Sequence, residues 1–246
     1  GAPIMVASGL LSFALQWKTI VRAFSGFKGG GEGSAQDGVE VPGSWFLWGA
    51  ILSGAGVVWI AHLYFGVPIL LGALAVALTF VLALVACRAT GESDITPTGA
   101  MGKIMQITYG VLIPQNATAN LMTAGITSGA ASSSADLLND LKSGYLLGAN
   151  PRRQFIAQFL GIFSGTVATV IGFKLLIPDA TAMMPVTLAD GTVQQPDFPA
   201  PAAVAWKAVA DRFSSEHGIN GMHPSHRIAI WWGLGIGAFL VLAEKF

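Results

Sequence analysis

Residues 44–87 read "SWFLWGAILSGAGVVWIAHLYFGVPILLGALAVALTFVLALVAC". Crossing the hydrocarbon core of a bilayer takes about 20 mostly apolar residues. Two such runs lie here, 44–65 and 68–87, and only "GVP" parts them. The stretch therefore predicts a tight hairpin of membrane-crossing helices. The rest of the chain agrees with that solvent. Of its 246 residues, 53% are apolar and only 11% charged, against about 25% charged in a typical soluble domain. Mean hydropathy is +0.62. The 31 glycines fit membrane helices, where glycine is frequent. The expected fold class is an all-α, polytopic membrane protein of about six transmembrane helices, some broken or re-entrant.

Several classes are excluded by composition. Thirteen basic residues balance thirteen acidic ones, which leaves no basic footprint for nucleic acid. The single cysteine, Cys87, cannot form an internal disulfide and reads as a small apolar side chain. The start, "GAPIMVASG", lacks the basic n-region of a signal peptide, and apolar runs reach both ends. The expectation is a C-terminal portion of a longer protein.

Working outward from the hairpin, further spans are expected near 4–17, 155–177 and 228–242, the last opening on Trp231 and Trp232 as interfacial anchors. Lys174 can snorkel from the end of its span. Residues 101–113 and 117–135 are apolar but studded with polar groups, and "PQN" at 114–116 joins them. Pro114 forbids a plain helix through that point, so the reading is two helices or a re-entrant pair. Non-helical backbone at membrane depth survives where protein or a water-filled cavity covers it. The positive-inside rule puts Lys18, Arg22, Lys28, Arg88, Lys142, Arg152 and Arg153 on the cytoplasmic side, with Arg152 and Arg153 as topological anchors. It makes 179–227 an external, extramembrane loop. The Gly-rich stretch 24–43 reads as a flexible connector; it lacks the Gly-Lys-Ser/Thr of a phosphate cradle.

Two polar clusters interrupt this apolar chain. In "GAASSSADLLNDLKSGYLLG", 129–148, small residues lead into charge. Gly125, Gly129 and Ser133 form one i, i+4, i+8 row, and Ser128, Ser132 and Asp136 another. One helical face is nearly bare, so a neighbouring helix or a substrate can approach the backbone there. Asp136 ends that face, with Asp140, Lys142 and Tyr145 beyond it. A carboxylate in the bilayer costs at least ~2.5–3.5 kcal/mol on insertion scales and usually marks an ion or proton path. The plainer reading leaves both aspartates solvated at a helix end.

The second cluster, "CRATGESDITPTGAMGKIMQITYG" at 87–110, carries Asp94, and then Lys103, Gln106 and Tyr109 three apart on one face. Thr96 is placed to cap a helix with Pro97 at its first position, and a broken start at membrane depth aims free N–H groups at anions. Asn116 and Asn120 extend the polar lining. His217, His223 and His226 lie in the loop at irregular spacing with no thiolate, so no metal site and no cofactor is expected.

At these residues the chain resembles a family. "GESDITPTGAMGKIMQ", "SADLLNDLKSGYLLGANPRRQFIAQFLG" and "FPAPAAVAWKAVA" are similar to three ordered blocks of the oligopeptide transporter (OPT) family. The likeness is to prokaryotic relatives of its yellow stripe-like metal-chelate branch. The matching positions are Asp94, Lys103, Asp136, Asp140, Lys142, Gly144, Tyr145, Pro151, Arg152 and Gln158. The resemblance implies a secondary transporter of many helices, importing oligopeptides or metal chelates with protons, and a chain considerably longer than this one. The expected location is the bacterial inner membrane, and the expected partners are lipid, a small peptide or metal-chelate substrate, and protons. Asp94, Asp136 and Asp140 are the proton-carrier candidates, with Asp136 first. Lys103, Gln106, Tyr109, Asn116 and Asn120 are the candidates for the lining of the route. Two rivals differ in class. A prenyltransferase-type intramembrane enzyme would hold Mg²⁺ on Asp136 and Asp140, but such a site needs a second Asp-rich cluster. A structural membrane subunit would not need polar groups clustered around a helix break.

Overall fold

The computed structural model describes residues 2–15, 17–25, 41–183, 185–187, 191–214 and 224–245. The connector at 26–40 with its Lys28, and His217 and His223, lie outside the described residues, as do the side chains of Arg22 and His226. The described residues are all-α apart from one antiparallel pair of two-residue strands, β1 (Val186–Thr187) and β2 (Val193–Gln194). Helices α1 (Ala2–Leu15) and α2 (Trp17–Ser25) precede the hairpin of α3 (Gly43–Phe65) and α4 (Ile69–Ser93). Then come α5 (Thr98–Leu112), α6 (Ala117–Leu146), α7 (Pro151–Leu176), α8 (Pro201–Ser214) and α9 (Pro224–Lys245). Of these, α3, α4 and α7 are long and apolar enough to cross a membrane.

The hairpin turns because Gly66 adopts φ 64°, a left-handed conformation that costs glycine little, and Pro68 then opens α4. The two helices lie close through paired notches. A Cβ at Gly54 would meet Val76 at 3.1 Å, and one at Gly72 would meet Val58 at 3.2 Å. Val67, in the turn, is buried with Ala61 and Ala119.

Thr96 does not cap α5. Its hydroxyl accepts from Thr90 Oγ1 at 2.9 Å, and the helix starts at Thr98 with Pro97 as the flanking residue. The break at 113–116 is built by Pro114 and by Gln115 at φ 70°. Asn116 then closes it by accepting the Ala119 N–H at 2.9 Å, an N-cap of ordinary chemistry. With 15 residues, α5 is about 22 Å long at 1.5 Å per residue, too short for a ~30 Å core. With 30 residues, α6 reaches about 45 Å. The small-residue run is therefore not a helix end, because α6 continues ten residues beyond Asp136 to Leu146. Asn150 caps α7, accepting from the Arg152 and Arg153 N–H groups, with Pro151 at its first position.

The core sits where α4, α5 and α6 pack. Their buried side chains are Ala75, Val85 and Ala86 on α4, Met101, Met105 and Tyr109 on α5, and Ala124 and Ala131 on α6. By contrast α7 buries none of its residues, and α3 buries only Ala61. Helices α1 and α9 pack together through glycine: a Cβ at Gly237 would stand 2.5 Å from the Ile4 carbonyl oxygen. The stretch read as an external loop, 179–227, is not loop throughout. It contains α8, which packs on α5, α6 and α1.

Candidate functional site: the polar junction of α5, α6 and α8

Helix α5 is enclosed except along Ile107, Val111 and Leu112, and its polar residues are enclosed with it. Lys103 is 5% exposed, Gln106 and Tyr109 0%, and Asn120 on α6 1%. Burying such groups in an apolar bundle is costly unless they are bonded, so their partners define the site. The Tyr109 hydroxyl donates to the Leu71 carbonyl of α4. Asn120 Nδ2 donates to the Gln106 main-chain oxygen at 2.6 Å. Gln106 Nε2 donates to the Trp206 carbonyl of α8 at 2.9 Å. Thr79 and Thr127 share a hydroxyl bond of 2.7 Å between α4 and α6. Each amide nitrogen thus faces a carbonyl oxygen, which fixes the orientation of both amides. Their own oxygens, Gln106 Oε1 and Asn120 Oδ1, are buried and have no donor among the described residues. Lys103 Nζ reaches the Gly99 carbonyl at 3.5 Å, and no ion pair to it occurs among the described residues.

Two aromatic side chains of α8 complete the junction. A Cβ at Gly102 would collide with the Trp206 ring. One at Gly110 would lie 2.5 and 2.8 Å from the Cδ atoms of Phe213. Gly102, Gln106 and Gly110 repeat at i, i+4, i+8, so one face of α5 presents notch, amide, notch to α8. The bond from Gln115 N–H to the Phe213 carbonyl, 3.3 Å, fastens the far end.

The structure separates the sequence candidates into two sets. Lys103, Gln106, Tyr109 and Asn120 are all buried around α5, Gln106 and Asn120 at this junction and Tyr109 against α4, and half-buried Asn116 serves as the α6 cap. Asp94, Asp136, Asp140, Lys142 and Tyr145 are exposed. Asp94 ends α4 in a left-handed turn at φ 57°. Asp140 Oδ2 accepts from Gln158 Nε2 at 2.9 Å, and its carbonyl accepts from Gln154 Nε2 at 2.6 Å. Lys142 Nζ stands 5.7 Å from the centre of the Tyr145 ring. Gly125, Gly129 and Ser133 are exposed, with open space where a Cβ would sit on either glycine. The packed side of α6 is the one bearing Asn120, Thr123, Thr127 and Ala131. Among the described residues no three His, Cys, Asp or Glu side chains are placed to hold a metal. Sequence reading missed Trp206 and Phe213, because α8 falls in the stretch taken for a loop. The glycine spacing on α5 was the available signal.

The family model described as "OPT oligopeptide transporter protein" matches residues 3–246. The chain belongs to the OPT family. This OPT chain is 40% identical over 91 residues to a Saccharomyces cerevisiae protein named "Putative oligopeptide transporter", a stretch covering 35% of the chain and 13% of that protein. It is 27% identical over 157 residues, 63% of the chain and 20% of the relative, to an Oryza sativa subsp. japonica protein named "Probable metal-nicotianamine transporter". A second rice protein of that name is 29% identical over 149 residues, 57% of the chain and 20% of the relative. The OPT chain thus matches no more than about a fifth of the length of these relatives. No solved structure matches it. Family membership and the apolar helices make the OPT chain an integral membrane protein of a transporter family, and the enzyme reading of Asp136 and Asp140 is set aside.

Proposed function

We propose that the chain is part of a secondary active transporter that imports oligopeptides or metal chelates, coupled to protons, by alternating access around the α5–α6 break. The observation that carries the reading is the set of four polar side chains, Lys103, Gln106, Tyr109 and Asn120, buried within an apolar helical bundle. Polar and ionisable groups within membrane segments usually mark substrate and ion paths, and transporter sites usually lie at broken helices. The relatives' names supply the two cargo classes. Asp136 is the first proton-carrier candidate, with Asp140 and Asp94 behind it, and Lys142 and Tyr145 beside the same path. The membrane proposed for it is the bacterial inner membrane.

The test is transport current in proteoliposomes of the full-length protein, with a peptide mixture and a panel of metal chelates, with and without an inward proton gradient. Gradient-dependent current that Asp136→Asn abolishes, in protein that still folds, supports the whole reading. Current unchanged in Asp136→Asn retains the transporter and removes that aspartate from the proton path. No current with any cargo refutes the proposal.

A further inference from the structure

The α5–α8 contact is unusual in what it leaves unmade. An unsatisfied buried acceptor costs on the order of 1–3 kcal/mol, and two belong to neighbouring side chains of α5 and α6. Asn120 bonds the main chain of Gln106, so the two amides are neighbours on adjoining helices, and the oxygen of each has no donor among the described residues. Neither can be relieved by flipping its amide, because each nitrogen would then be lost from a carbonyl partner. Water would satisfy them, but the ring of Trp206 fills the adjoining notch at Gly102. That ring is held by α8, a helix with only Ala210 buried. Thus α8 seats a large flat ring beside the Gln106 amide, whose oxygen has no donor among the described residues.

We propose that Gln106 Oε1 and Asn120 Oδ1 are an acceptor pair for N–H groups of the transported molecule, and that Trp206 of α8 occupies the cargo's place in this closed state. The inference rests on the transport reading and adds to it the residues that meet the cargo and the element that must leave. When α8 lifts, the Gly102 notch is vacated. The Gln106 amide loses its bond to the Trp206 carbonyl at the same moment, so the side chain that recognises cargo is freed by the motion that admits it. Lys103, one turn before Gln106 and without an ion-pair partner among the described residues, lies beside the vacated notch on α5.

The test needs no transport. In full-length protein with Cys87→Ala and any other cysteine replaced, Lys103→Cys serves as a thiol reporter for a water-soluble maleimide. With α8 intact the thiol should label slowly. Trp206→Ala should speed labelling about tenfold, the change in a local-opening equilibrium that about 1.4 kcal/mol of lost contact produces. Phe213→Ala, which empties the Gly110 notch, should act in the same direction. In the Trp206→Ala protein, trialanine, rich in N–H donors, should slow labelling. Tricarballylate, which has none, should not. Gln106→Leu should remove the protection by trialanine.

Labelling that ignores both Trp206→Ala and Phe213→Ala would refute α8 as the cover. Absent protection by trialanine, or protection that survives Gln106→Leu, would refute the acceptor pair. Failure of the transport reading looks different: no current with any cargo, whatever the labelling pattern.

Discussion

Adding one methyl group at Gly102 should cost far more than adding the same group at Gly125. At Gly102 a Cβ would collide with the Trp206 ring, whereas at Gly125 nothing lies within 4 Å. Overpacking typically costs about 1–3 kcal/mol. At 1.4 kcal/mol per decade, Gly102→Ala should shift the folding equilibrium roughly 5- to 150-fold toward the unfolded side. Gly125→Ala should be neutral, or stabilising by up to about 1 kcal/mol, because alanine is the better helix former. The measurement is reversible unfolding in mixed micelles by detergent titration, followed by tryptophan fluorescence. The decisive variant is the double one. With Trp206→Ala present the obstacle is gone, so Gly102→Ala should cost almost nothing, a coupling energy of about 1–3 kcal/mol in a double-mutant cycle. A cost at Gly102 equal to that at Gly125, or the same with and without Trp206, would show that α8 does not rest in this notch.

Other outcomes follow from the same contacts. Tyr109→Phe removes the hydroxyl bond to Leu71 and should cost about 0.6 kcal/mol, the mean for such bonds between membrane helices, measurable in the same titration. Asn116→Ala should cost about 1 kcal/mol and speed amide exchange at Ala119, where the cap now accepts. A Gly110→Cys/Phe213→Cys pair would set two thiols at the α5–α8 contact, where a Cβ at Gly110 would lie 2.5 Å from a Phe213 ring atom. Oxidising it should stop uptake and reduction should restore it, while uptake indifferent to oxidation would remove α8 from the transport cycle.

Much of the fold was legible because membrane burial writes long apolar runs into a sequence. The turn of the α3–α4 hairpin was legible, since it needs only Gly66 and Pro68, although α4 runs on past Cys87 to Ser93. The break at 113–116 was equally plain, because Pro114 allows little else. Two features were not legible, for definite reasons. The continuation of α6 past Asp136 is carried by Leu137, Leu138 and Leu141 among charges, a pattern shared by a helix emerging from the membrane and one that ends there. The docking of α8 depends on contacts about a hundred residues apart, such as Gln106 with Trp206, and helical periodicity records only neighbours. Lys103, Gln106 and Tyr109 lie on one helix, but the single face that their spacing implies divides in the structure, with Tyr109 meeting α4 and Gln106 meeting α8.

The uneven burial of the helices has a consequence for how the protein is made. Helices α3, α4 and α7 are apolar enough to leave the translocon for lipid unaided, and α3 and α7 bury almost nothing against their own chain. In α5 and α6 the balance is reversed: Tyr109 and Thr127 find partners on α4, Gln106 on α8 and Asn120 on α5. Insertion and assembly are separable stages for membrane helices, and here the division runs along the chain. The polar pair that forms the candidate site enters the membrane as passengers, and is completed only when α8, synthesised some sixty residues later than the end of α6, closes over it.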